Sequence, residues 1–379
     1  MSSSFTIIAD DHALAELCVD LQLQEALALD TEFIRTRTYY PKLALLQVGS
    51  TRHTWLIDPL AINDMAPFLA VLENPDVCKV IHSCSEDLEA LHHAYGCLPK
   101  NLVDSQIAAA FAGEGWGMGY QRMVEALLAV QLSKDETRSD WMQRPLGEKQ
   151  LAYAAADVEY LLPCFAHLKQ RLELQQRWSW CTEHCAQMLA DSFNADANKR
   201  YYLRIKTAWQ LDRQQLQVLQ MLAQWREHTA QEKDVPRGYI IEDAVLAAIA
   251  KSLPATMSEL SDIPKFQPKA IRKYGDLLLD LIQQARSIAK EHWPERLPRP
   301  LPMKAGKKSK ALRELVQGIA HRENIAAELL LRKSDVSTIL RQQFNTRSLR
   351  PRDVLPSDWP EWRVDLVGKP ILEWLEENG

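Results

Sequence analysis

Three apolar runs of strand length, EALALDTEF, LALLQVGS and TWLIDPL, occupy the early part of the chain, separated by turn-forming or charged segments. Short apolar runs bounded in this way predict a β-meander. A helical segment near residues 65–72 follows, and VCKVIHS reads as a further strand. SEDLEALHHAYG then repeats its apolar positions at helical spacing and ends in the glycine that a left-handed helix cap favours. NLVDS adds one more short strand. From about Gln106 onward almost every segment has helical period, so the pattern predicts an α/β region followed by an all-α remainder, with the change near residue 195.

Within the helical remainder, residues 207–289 form one unit that begins around Trp209, carries PRGYIIEDAVLAAIA and closes in a helix. Residues 292–310 then hold Pro294, Pro298, Pro300 and Pro302 together with six Lys or Arg and one acid. Proline removes backbone donors, so residues 290–310 predict an exposed basic connector, suited either to solvation or to contact with phosphates. Beyond it, RENIAAELLLRKSDVSTIL has helical period, with Ser334-Asp335 placed to cap the next helix. Residues 311–379 predict a third, smaller helical domain.

A length of 379 residues with 46% hydrophobic side chains suits two or three domains, each with its own core. No stretch approaches the roughly 18 apolar residues of a membrane span, and the start lacks a charged-then-apolar export pattern, so the cytoplasm is the expected location. The 7 cysteines show no Cys-x-x-Cys pair and predict buried, reduced thiols, Cys181 and Cys185 sharing a helix face. Charge changes the picture more. Residues 1–192 hold 14 Lys+Arg against 26 Asp+Glu, and residues 193–379 hold 31 against 24. An acidic half binds polyanions poorly unless it holds cations, whereas a basic half attracts phosphates, which suggests chemistry in front and grip behind.

Candidate chemistry begins on the first strand. Asp30 and Glu32 are one residue apart, so alternation puts both carboxylates on one face, where they repel unless a hard divalent cation holds them. Alone, the pair is equally an ordinary surface pair. Asp87 stands at the start of the helix after VCKVIHS, where capping is the plain alternative. Tyr153 and Asp157 are four residues apart in QLAYAAADVEYL, which stacks phenol and carboxylate on one helix face. Asp104, after NLV, is expected to cap a helix. Phe33, Arg35, Arg37, Tyr39 and Tyr40 interleave aromatic and basic side chains as single-strand binding does, although strand packing also explains Phe33 and one tyrosine. Lys265, Lys269, Arg272 and Lys273 could form a basic stripe or a solvated face.

Asp30-Thr31-Glu32, Asp87 in HSCSEDLEAL and Tyr153-x-x-x-Asp157 resemble the three motifs of the DEDD exonucleases in their tyrosine-containing branch. DTEFIRTRTYYPKLALLQ and RPLGEKQLAYAAADVEYL resemble the ribonuclease D family within it. Trp225-Arg226, Pro236-Arg237 and Lys273-Tyr274-Gly275 make residues 207–289 similar to an HRDC domain, and residues 311–379 resemble a second, divergent copy. The resemblance implies an α/β ribonuclease H-like exonuclease domain, a mixed sheet flanked by helices, over residues 1–194, followed by two all-α HRDC-type domains. It implies a 3'-5' exoribonuclease that releases 5'-mononucleotides, with Asp30, Glu32, Asp87 and Asp157 holding two divalent ions, Mg2+ or Mn2+, and Tyr153 orienting the attacking water. The implied partners are single-stranded 3' ends of RNA, above all transfer RNA precursors, with no membrane and no obligate protein partner, the protein acting as a monomer. A DNA exonuclease with the same site and a non-catalytic nucleic-acid binder are the alternatives; zinc hydrolase, Walker and serine-hydrolase signatures are missing from the sequence.

Overall fold

The computed structural model describes residues 5–132, 139–193, 195–303, 305–345 and 354–378. Lys304 of the predicted basic connector lies outside them. The chain divides into two compact units, one of residues 1–34, 42–188 and 301–379, the other of residues 35–41 and 189–300.

The first unit is built on a six-stranded mixed sheet. Its strands are β1 (Phe5–Ile8), β2 (Ala26–Ile34), β3 (Lys42–Gly49), β4 (Thr54–Ile57), β5 (Cys78–Ile81) and β6 (Leu102–Asp104), in the order β1-β4-β3-β2-β5-β6. The meander of β2, β3 and β4 is antiparallel as the apolar runs predict, while β1 joins β4, and β5 joins both β2 and β6, in parallel. The sequence reading missed β1, because FTII is only four residues long and Ile7 is half exposed, so it shows no clean alternation. β2 and β3 are covered on both faces and read as near-continuous apolar runs.

The covering helices are α1 (Asp11–Leu21), α2 (Ala66–Glu73), α3 (Ser85–Tyr95), α4 (Ser105–Phe111), α5 (Tyr120–Leu128), α6 (Glu148–Glu159), α7 (Leu161–Leu174) and α8 (Trp178–Ser192). α3 ends at Gly96, whose φ of 65° is the left-handed cap expected from the sequence. α6 lies on β2, β3 and β4. It approaches closely because Gly49 has no side chain: a Cβ there would meet the Val158 carbonyl oxygen at 3.0 Å and the Ala28 Cβ at 3.2 Å.

The second unit contains α9 (Arg213–Glu232), α10 (Arg237–Ile240), α11 (Asp243–Ser252), α12 (Met257–Ser261) and α13 (Pro268–Ser287). A capping box starts α9: the Asp212 carboxylate accepts from Gln215 N at 2.9 Å, and Gln215 Oε1 accepts from Asp212 N at 3.0 Å. Gly275 lets Met257 pack against α13, since a Cβ would meet the Met257 methyl at 2.6 Å. Arg226 is buried beside Ile241 O at 2.9 Å and Asp243 at 2.7 Å.

The last helices are α14 (Ala305–Glu323), α15 (Ala327–Leu330), α16 (Lys333–Asn345), α17 (Glu361–Arg363) and α18 (Lys369–Glu377). Two expectations change here. The irregular part of the basic connector stops with the prolines, so Lys307, Lys308 and Lys310 are helical, because no further proline follows Pro302 before Pro351. Ser334 and Asp335 lie inside the first turn of α16, and Asp335 reaches back to accept from Arg332 N at 2.9 Å. The segment is helical, but its core is shared: Leu312, Val316, Ile319, Leu340 and Ile371 belong to one buried cluster with Phe111, Leu168 and Cys185 of the sheet-covering helices. All seven cysteines are free, six of them buried and Cys78 half-buried.

Candidate metal centre and nuclease site

Asp30 and Glu32 project from one face of β2, which the sheet fixes between β3 and β5. Helical spacing puts Tyr153 and Asp157 on one face of α6. One carboxylate oxygen from each of Asp30, Glu32 and Asp157 lies within 4.8 Å of the others. Asp87, in the first turn of α3, is buried and accepts a hydrogen bond from the Thr31 hydroxyl. It stands outside the group of three, yet its charge acts on both Asp30 and Glu32.

The electrostatics of this cluster are unfavourable without a cation. Burial, then the charges of Asp87, Asp157 and Glu32, hold the Asp30 carboxyl well above the usual carboxylate range. Burial, followed by Asp157 and Asp87, pushes Glu32 up to about 9. Burial raises Asp157 to about 7 against the hydrogen bond from Tyr153, and raises Asp87 to about 6 against the hydrogen bond from Thr31. The Tyr153 hydroxyl, donating to Asp157, is pushed up by burial and by Asp157, so it is a neutral phenol at neutral pH. Four carboxylates form an all-oxygen donor set, which fits a hard divalent cation whose charge offsets the repulsion among them.

Several positioning residues escaped the sequence reading. Thr31 orients Asp87. Asp104 caps α4, as expected, accepting from Gln106 N at 2.8 Å, but it also accepts from Ser83 N and Cys84 N at 3.0 Å, and so holds the turn that launches α3. His82 and Gln106 fix the loop before α5 through the Met118 carbonyl oxygen, at 3.0 and 3.1 Å. Gln47 stands across the ladder from Asp30, fully buried, with neither amide atom bonded among the described residues. A buried Gln in an apolar strand is the one signal the sequence offered.

The expected substrate-binding residues are dispersed. Phe33 is on β2 and half-buried. Arg35 and Arg37 are exposed, and Arg35 Nη2 donates to Tyr39 O at 3.1 Å. Tyr39, expected to stack on bases, is instead used inside the protein: its hydroxyl donates to the buried Glu227 and accepts from Arg237 at 2.9 Å, its ring faces the Arg237 guanidinium at 4.8 Å, and its N–H donates to Asp234 at 3.0 Å. Tyr40 N donates to the same Asp234 oxygen at 3.1 Å. Lys265, Lys269 and Lys273 line a cavity of 630 Å³ with Tyr239, Phe266 and Tyr274; Arg272 is not among its lining residues.

Clustered carboxylates on the central strand of a mixed sheet, joined by a tyrosine and an aspartate one helical turn apart, define a metal-dependent exonuclease of the DEDD class. Residues 5–173 match the family model of the 3'-5' exonuclease domain, and residues 215–282 match the HRDC domain. The chain is 40% identical over 369 residues to ribonuclease D of Pseudomonas paraeruginosa, covering 97% of each, and 36% identical over 375 residues to that of Escherichia coli, covering 99% of each. The crystal structure of Escherichia coli RNase D, an exoribonuclease involved in structured RNA processing, superposes with a TM-score of 0.87 at 35% identity, covering 99% of both chains. The chain belongs to the ribonuclease D family. It is a hydrolytic 3'-5' exoribonuclease that uses divalent metal. No described helix is long and apolar enough to cross a membrane.

Proposed function

We propose that the protein trims the single-stranded 3' ends of structured RNAs, transfer RNA precursors foremost, releasing 5'-mononucleotides in the cytoplasm as a monomer. The convergence of Asp30, Glu32 and Asp157 beside a phenol resting on Asp157 is the observation that carries this reading. In it, Asp30, Glu32, Asp87 and Asp157 are ligands to two Mg2+ or Mn2+ ions. When bound, such ions supply positive charge against the departing 3'-oxygen and make water more acidic.

The chain's own residues supply orientation. A phenol held neutral cannot serve as the base; it donates one hydrogen bond to Asp157, and its oxygen remains able to accept one from the attacking water, which aligns that water with the phosphorus. Asp87 is fixed by Thr31 and Asp30 by the sheet, so the oxygen ligands need little rearrangement to receive cations. Lys265, Lys269 and Lys273, around a cavity with exposed Tyr239, are of the type that holds unpaired nucleotides by phosphate contact and stacking. Arg35, Arg37 and Arg272 add exposed positive charge. Residues 311–379 are read as a divergent HRDC copy that has become part of the nuclease core.

The test is to incubate the protein with a 3'-extended transfer RNA and a DNA strand of matched sequence, with magnesium, manganese or chelator. Stepwise, metal-dependent release of mononucleotides from the RNA is expected. Preference for the DNA strand would assign the site to DNA, and binding without cleavage under every metal would remove the enzymatic reading.

A further inference from the structure

Beside the carboxylates lies a cavity of 840 Å³ whose walls are Gly119 and the start of α5, Gln131 and Leu132, and Tyr153 and Asp157 of α6. Among the described residues, Arg122 is the one basic residue lining it. Its backbone is fixed relative to Asp157, because the Tyr120 hydroxyl donates to the Ala156 carbonyl oxygen at 2.9 Å, while its side chain is exposed. The acid on the same helix wall, Glu125, accepts from Gln131 Nε2 at 3.2 Å.

The chemistry of an RNA 3' end narrows what that guanidinium can meet. The terminal nucleotide of a strand ending in a 3'-hydroxyl carries one phosphate, the scissile one, which belongs at the carboxylates. Every other phosphate lies on the 5' side. A cation on a wall shared with Asp157 therefore has the first upstream phosphate as its natural anionic partner. In a region where acids outnumber bases 26 to 14, a polyanion needs such local compensation to approach. Arginine suits the task because its planar fork binds two phosphate oxygens at once.

Resting on the exoribonuclease reading, we infer that Arg122 binds the first phosphate upstream of the scissile one and so sets the register in which the strand enters. It acts on binding and placement, and it takes no part in bond cleavage.

Dinucleotides separate this role from all others, because NpN has only the scissile phosphate whereas pNpN carries the first upstream one as well. Steady-state rates for the two are measured with the natural protein, Arg122→Ala, Arg122→Gln and Arg122→Lys, with thermal midpoints recorded for each. The natural protein gains in kcat/KM from the 5'-phosphate. Arg122→Ala and Arg122→Gln lose that gain, roughly ten-fold and mainly in KM, while their rates on NpN and their midpoints stay unchanged; Arg122→Lys recovers part of it. On a longer RNA, the slope of log KM against log salt falls by about one. A 5'-phosphate gain that survives in both neutral variants, or an equal loss on NpN and pNpN, overturns the assignment. A natural protein that cleaves neither dinucleotide nor longer RNA overturns the exoribonuclease reading, and this one with it.

Discussion

The Thr31 hydroxyl donates a hydrogen bond to the Asp87 carboxylate, joining the central strand to the first turn of α3 across 56 residues of sequence. The bond adds to the backbone N–H groups of Thr31 and Asp87 in fixing a buried acid. Thr31→Val keeps the shape and removes the donor. Manganese affinity is expected to fall about 10- to 100-fold, as for other outer-shell partners of ligating carboxylates, with the thermal midpoint of the metal-free protein little changed. Isothermal titration with manganese reads this directly, and an unchanged isotherm would leave Thr31 without that role.

Tyr153 rests its hydroxyl on Asp157 and is neutral at neutral pH. Tyr153→Phe is expected to lower kcat by about 10² while KM and metal affinity stay close to their natural values, the pattern of an orienting group lost. A large loss of metal binding instead would make the tyrosine part of the ligand scaffold.

The raised carboxyls make the metal-free fold sensitive to pH in a defined direction. Their unfolded values are about 4, whereas Asp87, Asp157 and Glu32 are raised to about 6, 7 and 9. The folded state therefore binds more protons than the unfolded state across this window, and its stability falls as pH rises from about 4 towards 9. Melting of the metal-free protein should show that decline, and Asp157→Asn should flatten it. Manganese should raise the midpoint more at pH 8 than at pH 5, because its ligands must lose their protons to receive it.

Gly49 sets how closely α6 approaches β3. Gly49→Val puts branched carbons where the Val158 carbonyl oxygen and the Ala28 Cβ already leave only 3.0 and 3.2 Å for a Cβ. A loss of about 1–3 kcal/mol in stability is expected, with activity falling further because Asp157 moves with its helix. Chemical denaturation beside rates at saturating RNA checks both parts.

How far the sequence carried the structure depends on whether the responsible interactions are local. Asp30 and Glu32 share a face by strand alternation, and Tyr153 and Asp157 share one by helical pitch, so both pairs were legible from spacing. The meeting of the two pairs is a product of tertiary packing that no local pattern encodes, and it came from the family resemblance. Thr31 to Asp87, and Asp104 to the turn at Ser83, depend on strands brought together from distant sequence. Tyr39 illustrates the opposite case: an aromatic among arginines suggests stacking, and no local pattern shows that Glu227, 188 residues away, takes its hydroxyl. The third helical segment looked like a domain because its helices are amphipathic; amphipathicity shows that a face is buried and leaves open against what.

The most direct measurement is a manganese titration of the natural protein and Asp30→Asn, with release of mononucleotides from a 3'-extended RNA followed in the same samples. The natural protein should bind two ions per chain and cleave in proportion to their occupancy, and Asp30→Asn should lose both metal binding and turnover, the latter by at least 10³. Full metal-dependent activity in Asp30→Asn would contradict the assignment of the carboxylate cluster as the centre at which RNA is hydrolysed.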